Sequence, residues 1–169
     1  MLRFGLCCKF FAQPIKFYTT TARYLSTLSA AEQQKKLSSL ILANSNALFN
    51  ALTFCSLNRI GSFRVNSQFL PLKTHPKFNY KLDELPDSSE IKELLKQCAL
   101  FASNHNIRIT FHPDQFILLS SPDPNITQAS INELLYQSFL AGVIGADVIT
   151  VHAGGSYGDK KKSLRRLFD

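Results

Sequence analysis

The sequence predicts an α/β fold of the TIM-type (β/α)8-barrel kind, with about the first four strand–helix units present. Three observations carry this. Short apolar, β-branched runs alternate with longer helical stretches in the order β-α-β-α-β-α-β-α, which implies a parallel sheet with right-handed crossovers. The strand runs are apolar, as strands covered on both faces should be. The length of 169 residues suits one domain but falls well short of the ~250 residues of a closed eightfold barrel. Residues 1–169 therefore read as the amino-terminal half of a single barrel domain.

The elements follow in order. Residues 3–7 form a short first strand, and an irregular stretch runs to Leu28. Ser29-Ala30-Ala31-Glu32 has the capping-box pattern, and Leu37, Leu40, Ile41, Leu48, Leu52 and Cys55 continue an apolar stripe behind it. Asn58 and Gly61 stop that helix, and residues 62–66 resume as a strand. Asp87-Ser88-Ser89-Glu90 opens a second helix whose buried face is Ile91, Leu94, Leu95, Cys98 and Ala102. A strand over 107–111 follows Asn104-His105-Asn106. A third helix spans about 126–144, with Ile131, Leu134, Leu135 and Phe139 on one face, and Gly145 supplies a left-handed cap. The fourth strand covers 147–151, and a fourth helix begins near Lys161.

A hydrophobic share of 45% and a charged share of 18% are those of an ordinary soluble globular protein. The formal charge of +7 favours a polyanionic partner. Cys7, Cys8, Cys55 and Cys98 show no metal-finger spacing, which points to a reduced, intracellular protein, cytoplasmic or nucleoid-associated. No apolar run approaches the ~18 residues that span a bilayer, so no membrane partner is expected. Before Glu32 the chain is basic and rich in hydroxyls, a composition that an organellar transit peptide shares.

Three of the four histidines follow strand-like runs. His112 directly follows 107–111, His152 directly follows 148–151, and His75 lies beyond Phe69-Leu70-Pro71. Side chains at the carboxyl ends of barrel strands converge on one face, and imidazole is the commonest metal-ligating side chain. The three are candidate metal ligands, although a surface turn in which it merely bonds a carbonyl also explains His112, and a flexible strand–helix connection also explains the His152 segment. Phe111-His112-Pro113-Asp114-Gln115-Phe116 and His152-Ala153-Gly154-Gly155-Ser156-Tyr157-Gly158 are the sharpest segments. Gly154 and Gly155 allow close backbone approach to a ligand, or simply a tight turn. Lys160, Lys161, Lys162, Arg165 and Arg166 form the densest basic cluster, fitting phosphate attraction and a solvated helix face equally well.

Taken in order, these segments resemble the UV damage endonuclease family over most of residues 59–168. The resemblance rests on Phe63-Arg64-Val65, Phe69-Leu70-Pro71-Leu72-Lys73-Thr74-His75-Pro76, His112-Pro113-Asp114-Gln115-Phe116, Ser121-Pro122-Asp123-Pro124 and His152 through Lys160. It implies a TIM barrel that nicks damaged double-stranded DNA 5′ to UV photoproducts, using divalent metal ions, commonly manganese, with zinc or magnesium as alternatives. It further implies His75, His112 and His152 as metal-site residues. Gln115 and Phe116 match the pair that probes the duplex at the lesion, with Phe116 in place of a tyrosine. Gly154, Gly155, Tyr157 and Lys160 fall in the motif that meets DNA. The first strand departs from the family pattern, since Leu6 follows Gly5 where a tyrosine is usual. No catalytic acid or base is assigned, because the family's glutamate-rich strand has no counterpart in these residues.

Two alternatives stay open: an apurinic endonuclease IV-like or sugar isomerase-like metal-dependent barrel, and a noncatalytic DNA-binding remnant. A half barrel is also expected to leave its outer strands as open edges, with apolar layers exposed for a carboxyl-terminal half or for self-association.

Overall fold

The computed structural model of the chain describes residues 3–168. In chain order the elements are β1 (Gly5–Leu6), α1 (Ala22–Leu25), α2 (Ala30–Leu57), β2 (Ser62–Val65), α3 (Ser88–Asn104), β3 (Arg108–Phe111), α4 (Pro124–Ile144), β4 (Val148–Ile149) and α5 (Lys160–Phe168). The four strands are parallel and pair in sequence order, with Phe63 opposite Ile109 and Phe111 opposite Ile149. Helices separate successive strands throughout, so the expected partial TIM-type arrangement is the one formed. The strands are shorter than expected, and β1 and β4 keep only two paired residues each.

The local signals behave unevenly. The capping box at Ser29 is formed: Glu32 N–H donates to Ser29 Oγ at 3.4 Å, and Ser29 N–H donates to Glu32 Oε2 at 2.8 Å. Gly145 ends α4 at φ 70°, in the left-handed region that its missing Cβ permits. Asp87 precedes α3 but caps nothing. Its Oδ2 accepts from Ser38 Oγ at 2.8 Å, so a carboxylate positioned for capping ties α3 to α2 instead.

The core lies between the helices and one face of the sheet. Phe63, Val65, Ile109 and Phe111 alternate along β2 and β3 and are buried against Leu48, Leu52, Leu95 and Leu140 in one cluster. The irregular amino-terminal stretch joins this core: Phe10 stacks on Phe63 at 6.1 Å, and Leu25 of α1 is buried. The fully buried amide of Asn44 on α2 fixes the backbone there. It accepts from Tyr18 N–H at 2.7 Å and donates to Tyr18 O at 2.9 Å and Phe69 O at 2.8 Å.

Three expectations are corrected. First, α2 at 28 residues is long and apolar enough, by length and composition, to cross a membrane; half of its most apolar window is buried in this core. Second, the apolar stripe that the sequence sets on one face of α4 turns outward and not into the core, with Ile131 38% exposed, Leu135 64% and Phe139 51%. The helix instead turns Tyr136, Gln137, Leu140 and Ile144 inward. It is apolar around most of its circumference, so backbone hydrogen-bond demand decides its roll. Leu70 N–H donates to Tyr136 Oη at 3.1 Å, and Gln137 Nε2 donates to Ser67 O at 2.9 Å. Third, the sheet face away from the helices is not apolar. By alternation it carries Ser62, Arg64, Arg108 and Thr110.

Candidate functional site at the carboxyl end of the sheet

Strand geometry positions the site. β3 ends at Phe111, whose buried ring anchors the strand, and the next side chain, His112, falls on the polar face. Pro113 behind it is buried and fixes the turn. β4 pairs with β3 through Thr110–Val148 and Phe111–Ile149, and Thr150 N–H donates to Phe111 O at 2.9 Å. That register sets Thr150 opposite His112, and the chain two residues further on brings His152 beside it, with their ring centroids 4.7 Å apart. Burial first, then the neighbouring His152 and Arg64, hold the His112 imidazole below its ordinary value. A neutral imidazole is the form that ligates metals.

His75 is placed differently. Its Nδ1 accepts from Lys77 N–H at 3.1 Å, and its ring lies 5.1 Å from that of Phe78. It lines a groove of about 660 Å³ together with Asp114, Phe116, Gln68 and the Thr19–Thr21 hydroxyls. Among the described residues, no three His, Cys, Asp or Glu side chains form a group able to hold a metal ion. The structure thus pairs two of the three candidate histidines and leaves the third in the adjoining groove. The pair offers two nitrogen donors, which suits part of a metal's ligand set.

The loop after β3 projects from this end. Gln115 is exposed, and the Phe116 ring is 74% exposed. Asp114 Oδ1 accepts from Phe116 N–H at 3.2 Å, an Asx turn that fixes the loop's backbone. The loop after β4 lies alongside. Gly154 has φ 95°, and a Cβ there would collide with the Ser120 hydroxyl, so this position requires glycine. Gly155 O accepts from Ser120 Oγ at 3.5 Å, and Gly155 itself lies under the Tyr157 ring. Tyr157 holds φ 47°, a strained backbone for a large side chain.

Lys160 is exposed at the start of α5, where Asp159 Oδ1 accepts from the N–H groups of Lys161 and Lys162 at 3.0 and 3.1 Å. Arg166 is not a free cation of this cluster: its Nε donates to Ser120 O at 2.9 Å, and its guanidinium lies 5.9 Å from the Tyr157 ring centre. It binds the β3 and β4 loops into one surface.

Sequence reasoning missed the supports beneath the site. Thr74 Oγ1 donates to Glu133 Oε2 at 2.7 Å. With Tyr136 and Gln137, Glu133 clamps residues 67–74, in which Leu72 adopts φ 57°. Arg64 was also missed, although its even spacing from Ser62 and Asn66 marked it for the polar face.

Comparisons with known proteins bear on the family and the fold. The profile of the family described as UV-endonuclease UvdE matches residues 2–169. A UV DNA damage endonuclease of Bacillus cereus is 32% identical over 178 residues, covering 100% of this chain and 53% of the relative. One of Bacillus anthracis gives the same identity and coverage. The crystal structure of SacUVDE superposes with a TM-score of 0.82 at 30% identity, over 99% of this chain and 54% of that one. The chain thus spans about half the length of the relatives it matches. Over that span, it belongs to the UV-endonuclease UvdE family.

Proposed function

We propose that this chain forms the amino-terminal half of a DNA repair endonuclease barrel, acting on double-stranded DNA that carries UV photoproducts. The reaction would be hydrolysis of the phosphodiester 5′ to the lesion. The observation that carries the reading is the convergence of His112 and His152 at one end of the sheet, 4.7 Å between ring centroids, beside the exposed Phe116.

The residues divide the work. Phe116 presents an aromatic face to a base, and Gln115 a hydrogen-bonding amide beside it. A damaged pair costs less to open than a sound one, so a protruding ring selects lesions. Lys160–Lys162 draw the phosphate backbone to this end. Gly154 and Gly155 leave room for the strand to approach closely. His112 and His152 would hold a divalent ion, manganese first, with zinc or magnesium as alternatives; His75 would join them only after movement of its loop. A divalent ion bound there supplies Lewis acidity, acidifying water and offsetting charge on the phosphate.

DNA binding without cleavage is the second reading. It is favoured by the lack of a three-ligand group among the described residues. The test is nicking of UV-irradiated supercoiled plasmid by the purified chain with manganese, with His112→Ala as the control. Slow, lesion-dependent nicking that the substitution abolishes is expected. Salt-sensitive binding with no nicking in either protein would leave only the binding role.

A further inference from the structure

Helix α5 has two unlike sides. Lys161, Lys162 and Arg165 are exposed, whereas Ser163 is buried and Arg166 and Leu167, one turn on, are half-buried. The inward side grips both loops of the candidate site. Ser163 Oγ donates to Gly155 O in the loop after β4. Arg166 Nε donates at 2.9 Å to Ser120 O, at the far end of the loop after β3, and its guanidinium lies 5.9 Å from the Tyr157 ring centre. Between these two grips the loops touch each other. Ser120 Oγ donates to Gly155 O at 3.5 Å and leaves no room for a side chain on Gly154.

The loop after β3 is built to pass a displacement on. Residues 114–117 and 118–121 make two successive turns, closed by Ile117 N–H to Asp114 O and Ser121 N–H to Leu118 O, each at 3.1 Å. Where the turns meet, Leu118 N–H donates to Ser130 Oγ of α4 at 2.9 Å. The loop is therefore pinned at Leu118, with the exposed Phe116 on one side of the pin and the buried Ser120 on the other. Coupling travels through contiguous hydrogen-bonded segments of this kind.

We propose that Arg166 and Ser163 are positioning residues for lesion discrimination. From α5 they set where Ser120 stands against the glycine loop that follows His152, and through the Leu118 pin they set where Phe116 stands. The inference rests on reading Phe116 as the probe of a damaged duplex. Arg166 suits the task because a planar guanidinium can bond a carbonyl at its edge while it lies near an aromatic ring. Neither residue has to touch DNA: Ser163 is uncharged and enclosed, and Arg166 spends its Nε on main chain.

The test measures binding of irradiated and sound duplex of one sequence by fluorescence anisotropy over a range of salt. The unaltered chain is compared with Arg166→Ala, Arg166→Lys and Ser163→Ala. The ratio of the two affinities should fall about fivefold or more in Arg166→Ala and in Ser163→Ala, with binding to sound duplex kept within about twofold. Arg166→Lys keeps the charge and loses the fork, so it should recover little of the ratio. Equal losses on both duplexes with a salt slope reduced by about one would overturn the proposal, making Arg166 a phosphate contact. Full recovery in Arg166→Lys, or an unchanged ratio in Ser163→Ala, would overturn it too. Ser163→Ala keeps the test valid if an Arg166 variant does not fold. If the unaltered chain itself does not tell irradiated from sound duplex, the lesion reading falls, and amide NMR shifts in Ser163→Ala decide the positioning role. Gly155, Ser120 and Phe116 should then move together, and shifts confined to residues 152–163 would overturn the inference.

Discussion

The hydroxyl of Tyr136 on α4 accepts the buried N–H of Leu70 at 3.1 Å and donates to Ser67 O at 3.3 Å. One side chain therefore holds both ends of the turn that leads into His75. Tyr136→Phe would orphan the Leu70 N–H inside the protein, at a cost of about 1–3 kcal/mol. Urea unfolding should show a lower midpoint with an unchanged slope. An unaltered midpoint would mean that water replaces the hydroxyl and that the clamp carries little energy.

Asn44→Leu should loosen the amino-terminal stretch more than it disturbs the sheet. Three hydrogen bonds to the backbone of Tyr18 and Phe69 disappear together. Each stranded buried group costs roughly 1–3 kcal/mol. Hydrogen exchange at the Tyr18 amide should accelerate by orders of magnitude while Ile109 stays protected. Uniform acceleration of both would show that the stretch and the sheet open as one unit.

Phe116→Ala should leave stability within ~0.5 kcal/mol, because the ring is 74% exposed. Stacking of a base on an aromatic ring is worth ~1–3 kcal/mol. Binding to irradiated duplex, read by fluorescence anisotropy, should therefore weaken by about tenfold, with less effect on sound duplex. Equal losses on both would contradict a lesion-probing role.

The His112 imidazole should titrate below 6.5 when followed by NMR, since burial, His152 and Arg64 all lower its pKa. The sign follows from linkage. A depressed pKa means that the folded chain prefers the neutral ring, so the stability it contributes is fully present above 6.5. That contribution is lost as pH falls through the folded value. His112→Asn should flatten this part of the stability–pH curve, and a titration midpoint above 6.5 would reverse the reasoning.

Thiol labelling should divide the cysteines in two. Cys7 is exposed and Cys8 partly so, and both should react in the native chain. Burial pushes the Cys55 thiol up to about 11 and the Cys98 thiol up to about 12, leaving almost no thiolate at neutral pH. Those two should label only on unfolding.

What the sequence made legible was local. The Ser29 box, the Gly145 cap and the histidines at strand ends depend on neighbours a few residues away. The roll of α4 was hidden because Ile131, Leu135 and Phe139 make as good an apolar face as Leu140 and Ile144. The choice was made by backbone groups of Ser67 and Leu70, distant in sequence, that needed partners. Asn44 and Asp87 were obscure for the same reason, as their partners lie 25 to 49 residues away. The pairing of His112 with His152 followed from strand order, but the separate setting of His75 depends on a turn that periodicity does not describe.

The two-residue outer strands bear on how this chain can meet others. A foreign strand docks along an edge by hydrogen-bonding a run of main-chain groups, and two residues present too few to template a cross-β stack. The longer ladder, between β2 and β3, is walled in by its neighbours. The larger apolar surface open to another molecule is then made of side chains such as Leu135 and Phe139 on α4, and not of main-chain edge.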